Sequence, residues 1–195
     1  MSDAELQAIV QEAARHGLKV AAHAHGTEGI KAAVRAGVAS IEHGSMLDDQ
    51  AIDLMKRNGT YLVPTAYLLT TFKVESMPPP IAAKARQIIP LGQESHRRAI
   101  RAGVKIAFGT DASVYPHGDN GRELAVYVGY GMRPIEAIRT ATLNAADLLG
   151  VSDRGAIASG KLADLIAVKG NPLEDVRVLE QVPWVMKGGV VVKTP

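Results

Sequence analysis

The sequence predicts an α/β fold: a parallel sheet wrapped by helices, followed by a small β element. Three observations carry this. Strand-like and helix-like segments alternate through the first 150 residues. Several of the strand-like segments end on His or Asp, as in Val20-Ala-Ala-His23-Ala-His25-Gly26, Ser40-Ile-Glu-His43-Gly44 and Ile106-Ala-Phe-Gly-Thr-Asp111. After Gly150 the pattern changes to short apolar stretches separated by Gly-rich turns. Alternation of the first kind specifies parallel strands joined by right-handed helical crossovers, and the last specifies hairpins.

Each element has a local reason. Ser2 followed by Glu5 is a capping box, and Leu6, Ile9, Val10 and Ala13 continue as an amphipathic helix that Gly17 ends. Leu18 to His23 is a buried strand. Thr27 is placed to cap a second helix through Ile30, Ala33 and Val34, which Gly37 closes. Val38 to Glu42 is the second strand. Asp48 caps a third helix through Ile52, Leu54 and Met55, ended by Gly59. Thr60 to Thr65 is the third strand, rich in aromatic and β-branched residues. Met77-Pro-Pro-Pro80 then breaks the pattern. Ile81 to Ala102 favours helix with a break or kink at Pro90, and Val104 to Phe108 is the fourth strand. Gly118 to Gly121 reads as a loop, and Glu123 to Tyr130 and Pro134 to Leu149 as helices, with Gly150 as a terminal cap. Gly155 to Gly160, Ala163 to Val168 and Trp184 to Val192 are expected as short strands, with a turn at Lys187-Gly-Gly189.

Composition narrows the chemistry. The chain has 22 Lys and Arg against 20 Asp and Glu, a formal charge of +2, so it carries no basic footprint for nucleic acid or an anionic membrane. Cysteine is absent, which excludes a disulfide framework and thiolate ligands, so any metal must be held by nitrogen and oxygen. No apolar run reaches the roughly 18 to 20 residues of a membrane helix. The acidic, amphipathic start Met-Ser-Asp-Ala-Glu-Leu is unlike a signal peptide, and the expected location is cytoplasmic.

The residues that suit catalysis are the strand-end ligands. Strands consecutive in sequence are usually neighbours in space, so His23 and His43 converge on one point and Asp111 closes it from the far side. Imidazole and carboxylate suit borderline and hard divalent cations, and an ion held there draws the pKa of a coordinated water toward neutrality. The bland alternatives are a hydrogen-bonded structural His and a Gly-Thr-Asp that merely caps a helix. His25, two residues past His23, is expected to contact substrate or to support the ligands from behind, and His117 in the loop after Asp111 and Tyr67 just past the third strand are expected to contact substrate. His16 and His96 are expected to be solvated.

Eight segments carry a resemblance. Ala22-His-Ala-His-Gly26-Thr-Glu-Gly29, Ser40-Ile-Glu-His-Gly44, Thr60-Tyr-Leu-Val-Pro-Thr65 and Phe108-Gly-Thr-Asp111 fall in order along the chain. They are followed by Met132-Arg-Pro-Ile-Glu-Ala-Ile138, Ala141-Thr-Leu-Asn-Ala-Ala146, Ser159-Gly-Lys-Leu-Ala-Asp164 and Val185-Met-Lys-Gly-Gly189. Together they resemble the second half of an amidohydrolase-superfamily enzyme, of the imidazolonepropionase-like and Xaa-Pro dipeptidase-like branch. The resemblance implies the C-terminal half of a (β/α)8 TIM-like barrel over residues 1–150, equivalent to strands five to eight. Residues 151–195 would then form the C-terminal part of a small β-sandwich. It implies hydrolysis of amide or peptide C–N bonds in a small-molecule amide or dipeptide, with one or two divalent metals, usually zinc. His23 and His43 match the strand-five and strand-six ligands. Asp111 matches the strand-eight ligand that carries a proton from water to the leaving amine.

The family's first-strand His-x-His and its fourth-strand Lys have no match here. A complete barrel takes about 250 residues, so a truncated chain is expected, completed by an N-terminal half in trans or by self-association through exposed sheet edges. The alternative expectation is a catalytically inactive half-barrel that self-associates as a binding or structural module.

Overall fold

The computed structural model describes residues 1–195. β1 (Ala21–Ala24), β2 (Ser40–His43) and β3 (Tyr61–Val63) form a parallel sheet in that order. Ala22 stands beside Ile41 and Ile41 beside Leu62, so their side chains share one face. β1 has no partner on its other edge, and the sheet is not closed. The expected fourth strand is in place but reduced to a single parallel bridge, Leu62 to Ile106. The Leu62 N–H donates to the Lys105 carbonyl at 2.8 Å and the Ala107 N–H to the Leu62 carbonyl at 3.0 Å. One residue later the Phe108 N–H turns away to the Thr140 carbonyl, which ends the pairing.

α1 (Asp3–Arg15) begins at the Ser2–Glu5 capping box, with both reciprocal hydrogen bonds formed. α2 (Thr27–Ala36) and α3 (Asp49–Asn58) cover one face of the sheet. Their Ile30, Val34, Ile52 and Met55 are buried with Ile41 and Leu62 in the main core. Full burial of each such side chain contributes about 1.5–3 kcal/mol. Asp48 caps α3 through the Ala51 N–H at 2.8 Å, as expected. Thr27 does not cap α2: it lies inside the first turn, Gly26 is the cap residue, and the Thr27 hydroxyl donates to the Met46 carbonyl at 2.6 Å. That bond ties the β1–α2 turn to the segment after β2.

After β3 come α4 (Leu68–Thr71), a single 3₁₀ turn (Val74–Ser76) and α5 (Pro79–Arg101). α5 runs unbroken through Pro90, where a break or kink was expected. Pro90 and residue 86, whose carbonyl loses its partner, both lie on the exposed side, where water can satisfy that carbonyl. α6 (Arg122–Gly129) follows the Asp111 loop. The single helix expected over Pro134 to Leu149 is two, α7 (Pro134–Thr140) and α8 (Leu143–Leu149), broken at Thr142 with φ −126° and ψ −93°. In an unbroken helix the Thr140 carbonyl would accept from Asn144; here it accepts from Phe108, and the Asn144 side chain instead bonds the Ile106 carbonyl at 2.8 Å. A tertiary bond has displaced a helical one.

The second sheet is antiparallel: β4 (Leu165–Ala167), β5 (Trp184–Lys187) and β6 (Val190–Lys193), in that order. The stretch Trp184 to Val192, expected as short-strand structure with a turn at Lys187-Gly-Gly189, is the β5–β6 hairpin, turned by Gly188 and Gly189, both at positive φ. Gly155 to Gly160 forms no strand. Gly155 has φ 86° and Gly160 φ 81°, two left-handed residues that bend so short a stretch out of extension. A 3₁₀ helix, Val176–Glu180, joins this sheet to α6. A Cβ at Gly121 would sit 2.5 Å from the Leu179 carbonyl oxygen, so glycine is what permits that approach. No helix is long and apolar enough to cross a membrane.

Candidate metal centre

The site is built where the parallel strands end. His43 is the last residue of β2 and has φ 71°; Thr65, two residues past β3, has φ 49°; Asp111 has φ 51°. Left-handed backbone at non-glycine residues costs of the order of 1–3 kcal/mol each, and it concentrates at functional sites. It is least expected at a β-branched residue such as Thr65. Gly44 follows at φ 58°, and a Cβ there would lie 2.5 Å from Leu62 Cδ1. The sharp turn after His43 thus needs both the conformational freedom and the missing side chain of glycine.

Adjacent parallel strands bring His23 and His43 together, and His25 joins them. Their ring centroids are 4.5 Å apart for His23–His43, 4.7 Å for His23–His25 and 5.0 Å for His25–His43. One ring nitrogen from each lies within 4.8 Å of the other two. His23 and His25 are exposed and His43 is partly buried.

Hydrogen bonds orient two of the rings. His43 Nδ1 lies 2.7 Å from Thr65 Oγ1, whose single proton is donated to the Pro64 carbonyl at 2.7 Å. Thr65 can therefore only accept from His43, so Nδ1 carries the proton and Nε2 keeps its lone pair. His25 Nδ1 meets Ser45 Oγ at 2.8 Å. Burial is the largest cause that lowers the pKa of both His25 and His43. The neighbouring His23 lowers both further, and His25 also acts on His43, while Asp111 pulls His43 the other way. Both shifts favour the neutral rings of His25 and His43, the form that offers a lone pair. Three imidazoles at this separation suit a divalent cation, since borderline ions take imidazole nitrogen readily. An orienting hydrogen bond on the far nitrogen is the usual support for such a ligand.

Asp111 lines the same cavity as the three histidines but stands outside their close cluster. The structure does not bring Tyr67 or His117 into that cavity. The Tyr67 ring packs edge-on against Tyr115 at 4.9 Å beside a separate shallow depression with Asp119, and His117 is exposed in its loop.

Two residues depart from the sequence expectation. His96 is not solvated: it is 1% exposed, and its Nε2 donates to the His43 carbonyl at 2.6 Å. Burial lowers its pKa to about 4, against the raising effect of that bond. It fixes the reversed peptide that follows His43. The residue sequence reasoning missed is Glu123. Its carboxylate is fully buried and accepts from the Ala66 and Tyr67 N–H groups at 2.6 Å each, holding the turn that contains Thr65. Burial raises its pKa to about 7, outweighing the two backbone bonds. The available signal was its place beside Leu124 and four residues before Tyr127, on the apolar face of α6.

Comparison with known proteins places these residues in a family. Residues 1–192 match the model of the amidohydrolase family. The chain is 39% identical to the ochratoxinase of Aspergillus niger, over all of this chain and 42% of that protein. The crystal structure of A. niger ochratoxinase superposes with a TM-score of 0.89 at 38% identity, covering 100% of this chain and 46% of that one. A crystal structure of a Xaa-Pro dipeptidase with methionine bound in its active site superposes with a TM-score of 0.94 at 47% identity, covering 99% of this chain and 49% of that one. An imidazolonepropionase of Deinococcus deserti is 29% identical over 88% of this chain and 40% of its own length. The chain spans about half the length of the relatives it matches. The strand-end motifs, the fold they terminate and these matches agree: the chain belongs to the amidohydrolase family.

Proposed function

We propose that this chain carries part of the active site of a metal-dependent hydrolase acting on amide or peptide C–N bonds. The observation that carries the reading is the convergence of His23, His25 and His43, with one nitrogen of each within 4.8 Å of the others. His23 and His43 would hold the ion, with zinc a metal that imidazole nitrogen suits, and His25 would complete the set. A divalent ion so held polarises a carbonyl oxygen and acidifies water.

The chain's own residues supply the rest. Thr65 keeps the His43 lone pair directed outward by taking its Nδ1 proton in a hydrogen bond. The Asp111 carboxylate, on the wall of the same cavity, accepts a proton from the attacking water as the C–O bond forms and returns it to the nitrogen as the C–N bond breaks. A dipeptide or N-acyl amino acid is the substrate class favoured, in keeping with the dipeptidase likeness. Hydrolysis of a panel of such compounds with and without zinc tests this. Turnover that requires metal and is lost in Asp111→Asn, with metal binding retained, is expected; full turnover in Asp111→Asn contradicts the proton-transfer role.

A second reading has one observation in its favour. The outer edge of β1 is unpaired, and Leu18 and Leu149 beside it are largely exposed. An open edge of this kind pairs readily with another chain, so a self-associated half-barrel without turnover would also use this surface.

A further inference from the structure

The sharp turn that follows β2 is held from behind by α5. His43 and Gly44 both have left-handed backbone, with φ 71° and 58°. Two consecutive residues of α5, Ser95 and His96, reach their carbonyls. His96 Nε2 donates to the His43 carbonyl at 2.6 Å. Ser95 Oγ donates to the Gly44 carbonyl at 2.9 Å and accepts from the Leu47 N–H at 2.9 Å. On the other side, the Gly44 N–H donates to the Ala24 carbonyl at 3.1 Å. A left-handed histidine persists only where its surroundings over-determine it, and the rotamers open to its ring follow from its φ and ψ. The same turn carries Ser45, whose hydroxyl meets His25 Nδ1 at 2.8 Å.

Packing alone does not call for imidazole at position 96. His96 is 1% exposed, and because Nε2 carries the donated proton, Nδ1 of the neutral ring is a bare acceptor. That atom is buried without a partner, and an unpaired buried acceptor opposes folding. An apolar side chain of similar bulk would occupy the same place without that penalty. What imidazole adds is the Nε2 donor, and that donor is directed at the backbone of a strand-end histidine.

We propose that His96 is a positioning residue of the candidate metal centre: its bond to the His43 carbonyl keeps His43 left-handed and the His43 ring aimed at the ion. Ser95 beside it fixes the turn that brings Ser45 to His25, so α5 braces two of the three rings. That role rests on the metal-site reading and deepens it, because it assigns the geometry of the ligands to a helix that supplies none of them.

Two substitutions separate positioning from packing. His96→Leu removes the donor and the bare Nδ1 together, so the unfolding midpoint of the metal-free protein should move little. Its zinc affinity, measured by competition with a chelating dye, should fall about 10- to 100-fold. His96→Gln keeps an amide N–H in reach of the carbonyl and should restore most of that loss. Nitrogen NMR of the metal-free protein reads the His43 ring directly. The Nδ1-protonated form should dominate in the unaltered chain and in His96→Gln, and both tautomers should appear in His96→Leu. If His96→Leu does not fold, His96→Asn, whose shorter amide ends about where Nδ1 does, takes its place. Zinc affinity that survives loss of the donor, equal losses in the glutamine and leucine variants, or an unchanged His43 spectrum would overturn the proposal. The spectrum decides it whether or not zinc binds. An unaltered chain that takes up no zinc, but whose His43 ring still depends on His96, would leave the brace standing while the metal-site reading fails.

Discussion

The two sheets of this molecule are held in opposite ways. In the parallel sheet the strands are short, but Ile41 and Leu62 are fully buried under α2 and α3, and the ends of β2 and β3 are tied by tertiary hydrogen bonds. In the antiparallel sheet every residue of β6 is exposed, and β4 and β5 reach at most partial burial. It has local pairing and surface ion pairs in place of a core. The comparison teaches where geometry is fixed: the strained turns that carry the candidate ligands sit on the sheet whose packing can hold them, since strain of this kind persists only where the surroundings over-determine it.

Stability measurements can break this comparison. Leu62→Ala should cost about 2–5 kcal/mol by loss of buried volume, whereas Val191→Ala on β6 should stay within about 0.5 kcal/mol. Urea unfolding measures both, and similar costs would mean that the two sheets are equally packed. Next in size is Glu123→Ala, which strands the Ala66 and Tyr67 N–H groups in the interior at about 1–3 kcal/mol each.

Glu123 also gives a pH dependence. Its folded pKa, about 7, lies above the ordinary 4.5, so between these values the folded state keeps a proton that the unfolded state has released. Its contribution to stability is full below the ordinary value and falls as pH rises through about 7. In Glu123→Gln that decline should vanish from the plot of unfolding free energy against pH; an unchanged slope would assign it to another group.

A subtler change sharpens the account of the site. Thr65→Val removes the acceptor for His43 Nδ1 without touching a ligand and should weaken zinc binding about 10- to 100-fold, measured by competition with a chelating dye. No change would mean that His43 is oriented without Thr65. A small effect is also expected at the surface of the second sheet. Lys187→Met breaks a 2.5 Å pair with Asp164 whose lysine is largely exposed, and should cost less than about 1 kcal/mol.

Much of the fold was legible because its signals are local. Ser2 with Glu5, Asp48, Gly37 and Gly59 mark helix ends by their own chemistry, and each strand of the parallel sheet overlaps the stretch expected for it. What was not legible depends on partners distant in sequence. The break between α7 and α8 follows from Phe108 capturing the Thr140 carbonyl, and the brevity of the fourth strand is the same event seen from the other side. At the site, His23 and His43 could be paired from strand order alone. That His25 closes on both, that His96 is buried against the His43 carbonyl, and that Glu123 clamps the turn after β3 depend on bonds between segments far apart in sequence, His25 with Ser45, His96 with His43 and Glu123 with Ala66 and Tyr67.

The central claim, that the three strand-end histidines form a metal site, is tested most directly by metal content. The protein would be loaded with zinc, desalted, and isolated as a discrete species by gel filtration before elemental analysis, alongside the His23→Ala/His43→Ala double variant. One zinc per chain in the unaltered protein and none in the variant is the predicted result. The same zinc content in both, or none in either, would contradict it.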